Sequence, residues 1–177
     1  MRNQFVFAAA PLALGIVAAL TLLPTRSPAA TTRPAPATQP IAQSADGSVL
    51  LHSRAATVHG KMLRYEPQPN KNTLGFWTKV EDWASWDFDL ARAGRYRVVI
   101  LQGCGKGSGG ADVDFLLAGQ SLKVTVQDTG HFQNFVPRDI GTIDLPAGRH
   151  TLEVRPRTKP GVAVMDLRSV TLEPAPK

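Results

Sequence analysis

An all-β sandwich is the fold class that the sequence predicts, on three observations. Two near-copies of one unit, Phe88–Ile100 (FDLARAGRYRVVI) and Ile143–Val154 (IDLPAGRHTLEV), lie about 55 residues apart. In each, an alternating run ends on Asp-Leu, turns through Ala-Gly and restarts with Arg, a ring residue and alternating apolar positions, which is the mark of an antiparallel hairpin. From Asp46 onward the chain is a series of short runs separated by Gly, Pro and Asn. No stretch of that region sustains apolar residues at i, i+3 and i+4, so nothing in it reads as an amphipathic helix.

In order, Ser48–His52 and Thr57–His59 are short openers, and Met62–Glu66 alternates before the break Pro67-Gln68-Pro69-Asn70. Leu74–Thr78 is brief. Ala84–Leu90 places Trp86, Phe88 and Leu90 on one face and Ser85, Asp87 and Asp89 on the other. Arg95–Gln102 follows with Tyr96, Val98 and Ile100 facing one way. Asp112–Leu117, Leu122–Val126, Asp139–Leu145, Arg149–Arg155 and Val162–Leu172 complete the set. The last departs from clean alternation, as a strand with a bulge does.

The N-terminus has a different character. Arg2, an almost wholly apolar Phe5–Leu23 and the small-residue exit Ser27-Pro28-Ala29-Ala30 read as a signal peptide over residues 1–30, cut after Ala29 or Ala30. The apolar run also approaches the roughly 20 residues that span a bilayer, so an uncleaved anchor helix is the alternative. Export to the periplasm, the cell envelope or the medium follows from either, and membrane contact arises only through an uncleaved segment. Residues 31–45, rich in Pro, Thr, Ala and Gln, read as a disordered linker. Residues 46–177 form one domain, ample for a single core.

Charge and cysteine usage exclude several classes. Arg2, Arg26 and Arg33 precede the domain, so the net charge of +6 falls to +3 within it. With no basic run, nucleic acid is not an expected partner. One cysteine, Cys104, permits no internal disulfide. The histidines have no metal-ligand spacing, which argues against zinc, whereas calcium is held by scattered oxygens and leaves no spacing signature.

Three regions carry the chemistry-bearing residues. Gly103–Gly110 (GCGKGSGG) formally contains G-x-G-x-x-G, but the strand-like ADVDFLL follows where a dinucleotide site needs a helix. It reads as a tight connection between strands, with Cys104 an inert thiol. Asp128–Phe135 (DTGHFQNF) is too polar for a core strand and too aromatic for an ordinary loop. His131, Gln133 and Asn134 there offer donors and acceptors that match sugar hydroxyls; the other reading has Phe132 and Phe135 pinning a long loop to the core. Tyr65, Glu66 and Trp77 form the third group. Trp77 is read either as a stacking platform for a sugar ring or as core, and Tyr65-Glu66 either as a sugar-binding pair or as a strand end.

The segments WASWDFDLARAGRYRVVIL and IGTIDLPAGRHTLEVRP…VAVMDLRSVTLEP resemble the central and closing strands of galactose-binding-like β-sandwich domains, among them the carbohydrate-binding modules of families 6 and 35. With LRYEPQPNKNTLGFWT, QGCGKGSGG, DTGHFQNF and KPGVAVMDL, the chain also looks like a domain that accompanies exported bacterial sulfatases and glycosidases. The resemblance spans about Ser48–Pro174. It implies a jelly-roll sandwich that binds sugar, and an exported sulfatase or glycosidase as partner. It further implies a structural calcium, for which Asp166 is a candidate ligand; the early Glu-x-Glu of many relatives is missing from LLHSRAATVHG. No other cofactor is expected.

The leading expectation is a non-catalytic, exported carbohydrate-binding module for an acidic or sulfated polysaccharide. Trp77 would stack on the sugar, with Tyr65 beside it, and Glu66, His131, Gln133, Asn134 and Lys159 would bond its hydroxyls or anionic substituents. A scaffold domain that docks a secreted hydrolase or the envelope is the second expectation. A small hydrolase using Asp128 and His131 is the third.

Overall fold

The computed structural model describes residues 40–176, so the signal-peptide segment and most of the linker lie outside the described residues. Among the described residues twelve strands form two sheets: β1 (Ile41–Ala42), β2 (Val49–His52), β3 (Thr57–His59), β4 (Arg64–Glu66), β5 (Thr73–Gly75), β6 (Trp83–Leu90), β7 (Gly94–Cys104), β8 (Asp112–Leu117), β9 (Gln120–Thr125), β10 (His131–Leu145), β11 (Gly148–Pro156) and β12 (Asp166–Pro174). In the first sheet β6, β11, β8 and β9 lie side by side, and β1 and β3 share the free edge of β6. The second runs β10-β7-β12-β5-β4, with β2 also paired to β12. The only helical element among the described residues is a single 3₁₀ turn, Ser53–Ala55.

The inner faces meet as the period-2 pattern dictates. Trp86, Phe88, Leu152, Val154, Val113 and Phe115 from the first sheet bury against Leu51, Leu74, Tyr96, Val98, Ile100, Leu167, Val170 and Leu172 from the second. The Trp86 indole N–H donates to the His52 carbonyl at 2.9 Å, so even this ring's polar atom is satisfied inside.

The two repeated units are not hairpins. Each Ala-Gly turn carries the chain from one sheet to the other, and the copies interlock. β6 of the first copy pairs with β11 of the second, bringing Arg149 opposite Asp89. β7 of the first pairs with β10 of the second, bringing Arg95 opposite Asp144. Alternation is equally well served by a partner in either sheet, so the pattern located the strands and left their partners open. The arrangement gives Arg95 an acid from the second copy, Asp144 at 2.9 Å, and gives Arg149 an acid from β6 just ahead of the first copy, Asp87 at 3.7 Å.

Other boundaries also shift. The bulge expected in the last strand is present between Leu167 and Ser169. β10 begins at His131 rather than Asp139, because His131 still pairs with Cys104 at the end of β7, ahead of a three-residue register shift before Val136. The domain also starts before Asp46. Ile41 and Ala42 pair in parallel with Phe88 and Asp89. The Gln43 amide donates to the Gly47 carbonyl (2.6 Å) and the Tyr96 hydroxyl (2.9 Å), and accepts from the Ala91 and Arg92 backbone N–H groups. A Pro-rich composition hides this anchorage, since two residues of strand and one glutamine leave no pattern.

Gln43→Ala removes all four of these bonds while leaving the strand backbone intact. It is expected to lower unfolding stability by about 1–3 kcal/mol, read from urea denaturation. A variant as stable as the parent would show that the segment rests on the domain without holding it.

Candidate functional site

One end of the sandwich collects the connections on which the sequence placed chemistry: residues 60–63, 76–82, 105–111, 126–130 and 157–165. The upper part of the second sheet's outward face adjoins it. Along β12, Leu167 points into the core, so Asp166 points outward, in register with Gly103 of β7. On β5 and β4, Gly75 stands opposite Arg64 and Thr73 opposite Glu66.

At the centre of this face two carboxylates share a glycine. A methyl group on Gly75 would lie 2.4 Å from Glu66 Oε2 and 3.3 Å from Asp166 Oδ1. Only a residue without Cβ leaves room for both acids. Glu66 Oε1 accepts from Lys71 Nζ at 3.0 Å, and Asp166 Oδ2 from Gln133 Nε2 at 3.2 Å. Burial, and then the charge of Glu66, push the Asp166 carboxyl up to about 7; the Gln133 bond, Lys71 and Arg168 only partly offset this.

Two segments close over the floor. The lead of β10 lies on Gly103, where a Cβ would sit 1.9 Å from the Phe132 carbonyl oxygen, and the Phe132 ring covers Gly105. The connection at residues 67–72 is drawn in by Arg168, whose guanidinium donates to the carbonyls of Asn70 (3.0 Å) and Lys71 (2.6 and 3.1 Å) and lies 3.6 Å over the Phe135 ring. At the margin stands Phe76, 44% exposed, with φ at +56° and the Arg64 guanidinium 3.6 Å over its ring. Positive φ is uncommon for a bulky residue and costs backbone energy. Here it turns an aromatic side chain out to solvent.

The residues singled out from sequence divide into three groups. Glu66, Gln133 and Asp166 come together on the floor. His131 and Asn134 are exposed on the adjoining lead of β10, His131 Nδ1 accepting from the Gln133 backbone N–H and Asn134 Nδ2 donating to the Thr129 carbonyl. Lys159 lies apart on the 157–165 connection, its ammonium donating to the Gly161 carbonyl at 2.7 Å.

Trp77 is a correction. It is 0% exposed and its indole N–H donates to the Asp82 carbonyl at 2.8 Å, so neither ring face can receive a sugar. Tyr65 faces the core beside Leu74 and bonds Asn72 through its hydroxyl. Its role is packing. The exposed ring is Phe76, next door to Trp77. Past the end of β5 the left-handed backbone at Phe76 turns its ring outward, while the larger ring of Trp77 goes into the core.

Arg168, Lys71 and Arg64 carry no sequence signal that marks them. Trp83 is clamped between His59, stacked at 3.6 Å, and Arg155, 3.5 Å from its ring. Both of its faces are taken.

The two residues expected to serve a hydrolase are each engaged with nearby backbone. Asp128 accepts from the backbone N–H groups of Gly107 and Gly130, which ties the glycine loop down, and no hydrogen bond joins it to His131 among the described residues. Burial pushes the Cys104 thiol up to about 11, with the charges of Asp128 and Asp166 adding to the effect, so it stays a thiol at neutral pH.

The calcium implied by the resemblance does not fit Asp166. Calcium takes six to eight oxygens. Asp166 Oδ2 and Glu66 Oε1 instead face the Gln133 amide and the Lys71 ammonium, and the Asn70 and Lys71 carbonyls receive Arg168. No group of three His, Cys, Asp or Glu side chains among the described residues is arranged to hold a metal.

The hollows of the surface lie elsewhere. A cleft of about 640 Å³ at the opposite end is lined by Asp46, Arg92, Tyr96, Asp144 and Pro174. One of about 420 Å³ at the loop end is lined by Lys61, Met62, Lys79 and Asp82. Neither is lined by Phe76, Arg64 or the lead of β10.

No protein-family model matches the chain, and no curated protein does. Solved structures do. A family 35 carbohydrate binding module from Clostridium thermocellum aligns at 13% identity and TM-score 0.58, over 72% of this chain and 98% of that one. A carbohydrate binding module from Cellvibrio mixtus lichenase 5A, in complex with cellotriose, aligns at 15% and 0.56, over 72% and 97%. A Podospora anserina β-(1,4)-mannanase carrying a family 35 module aligns at 17% and 0.53, over 75% of this chain; the chain spans only 28% of that enzyme's length. These likenesses bear out the galactose-binding-like, jelly-roll form of the sandwich.

The Asp166 carboxyl binds its proton more tightly in the fold than in the unfolded chain, where it titrates near about pH 4. Stability from this group is therefore present at low pH and is lost as pH rises to about 7, with no further loss above. Asp166→Asn is expected to gain on the wild type steadily across that window in thermal melts, and to melt higher at pH 8. Parallel pH profiles for the two proteins would contradict the assignment.

Proposed function

We propose that this galactose-binding-like sandwich is a non-catalytic carbohydrate-binding module that takes its ligand on the shelf formed by Phe76, Arg64 and the lead of β10. The observation that carries this is Phe76: an aromatic ring held outward at positive φ, beside a floor of buried polar groups. A sugar's apolar face stacks on such a ring. The exposed His131 and Asn134 on the lead of β10 offer donors and acceptors for hydroxyls.

An acidic or sulfated polysaccharide fits best. Arg64 and the loop-end residues Lys61, Lys79, Lys106 and Lys159 have no carboxylate partner among the described residues. The acids of the same end are largely occupied. Asp82 accepts from the backbone N–H groups of Lys61, Met62 and Leu63, and Asp128 from those of Gly107 and Gly130. The remaining positive field favours an anionic polymer and makes its capture salt-sensitive.

The solved modules of like fold, one of them holding cellotriose, support a glycan as ligand. The N-terminal apolar segment supports export. A secreted sulfatase or glycosidase acting on the same polymer is the partner in this reading.

Phe76→Ala is expected to weaken binding to the best ligand from an acidic-glycan array about tenfold, by calorimetry, with little change in melting temperature. Trp77→Phe is expected to do the reverse, costing about 1–3 kcal/mol of stability and leaving affinity intact in the folded protein. Loss of affinity from Trp77→Phe alone would move the site off the shelf.

A further inference from the structure

Glu66, Asp166 and the carbonyls of Asn70 and Lys71 are hard-oxygen donors of the kind a structural cation uses; the two carboxylates meet at Gly75, and the two carbonyls both face Arg168. We infer that Lys71 and Arg168 form a built-in cationic clasp that does the work of a bound metal ion, so that this domain is stable without one. The inference concerns stability and stands apart from the glycan reading.

Three features carry it. The first is double use of Lys71: its ammonium neutralises Glu66 at 3.0 Å while its carbonyl receives Arg168 at 2.6 and 3.1 Å. The connection is gripped through side chain and backbone at one residue. The second is the bulge between Leu167 and Ser169. It inserts Arg168 as an extra residue between two ladder positions, and bulges re-aim side chains in this way. The fork then spans Asn70 and Lys71 with one edge, while its plane lies on Phe135. One guanidinium thereby ties β12 to the 67–72 connection and to the lead of β10.

The third feature is how the end of the connection is held. Asn72 has φ at +46°, and its carbonyl and side-chain oxygens are taken by Ser53 and Tyr65. The end of the connection is thus fixed against the sheet as well. A metal ion would have to displace an ammonium to reach Glu66 Oε1 and an amide to reach Asp166 Oδ2. Lysine cannot replace Arg168, because a point charge with rotating donors does not supply a flat fork and a stacking plane together.

The test is thermal unfolding of the purified protein, as isolated, after exhaustive chelation, and after adding millimolar calcium. The wild-type Tm is expected to be unchanged by either treatment. Arg168→Lys and Lys71→Gln are each expected to lower Tm by about 5–10 °C. A wild-type Tm that falls on chelation and recovers with calcium overturns the inference, as do two variants that both melt with the wild type. Should Arg168→Lys fail to fold, Lys71→Gln and the chelation series decide alone. Glycan binding enters none of these readings, so failure of the binding proposal would leave them intact.

Discussion

Two carboxylates placed beside one glycine on a sheet face set the terms for everything above it. Glu66 and Asp166 are both buried, and both lie against Gly75. Like charges so placed cannot both be left unmatched in a poorly solvated site. The fold meets this with an ammonium on one, an amide on the other and a guanidinium close by. Each of these groups brings a segment with it. Lys71 brings the 67–72 connection, Gln133 brings the lead of β10, and Arg168 links the two. The closure of the outward face, and so the margin on which Phe76 and His131 stand, follows from neutralising this pair.

The scaffold beneath depends on a different constraint, the alternation of side chains along each strand. Trp86, Phe88, Tyr96, Val98 and Ile100 were legible as core because period-2 spacing leaves them one face only. Their partners were not legible. Phe88–Ile100 and Ile143–Val154 have the local pattern of hairpins, yet each crosses between sheets and pairs with its counterpart. Nothing within about a dozen residues distinguishes a turn that stays in a sheet from one that leaves it, since both need the same loop residues and the same alternation.

The site was legible in part, for related reasons. Polar residues of unusual type, such as Glu66, Gln133 and Asp166, could be picked out one at a time, and the fold then brought them together. Trp77 was misplaced because a ring's orientation in a short irregular segment depends on which neighbour fits the core. The outward ring, Phe76, is the smaller of the pair. Lys71 and Arg168 look like ordinary surface cations in the sequence. Their role arises only when a bulge and a turn far apart in the chain are brought together.

The most direct test of the account is to map the ligand contact by backbone amide chemical shifts during titration with an acidic oligosaccharide that the protein binds. The account predicts that the largest perturbations fall on Arg64, Gly75, Phe76 and His131–Phe135. Perturbations centred instead on the cleft at Asp46, Arg92 and Pro174, or on the outward face of the first sheet around Asp87 and Arg149, would contradict it.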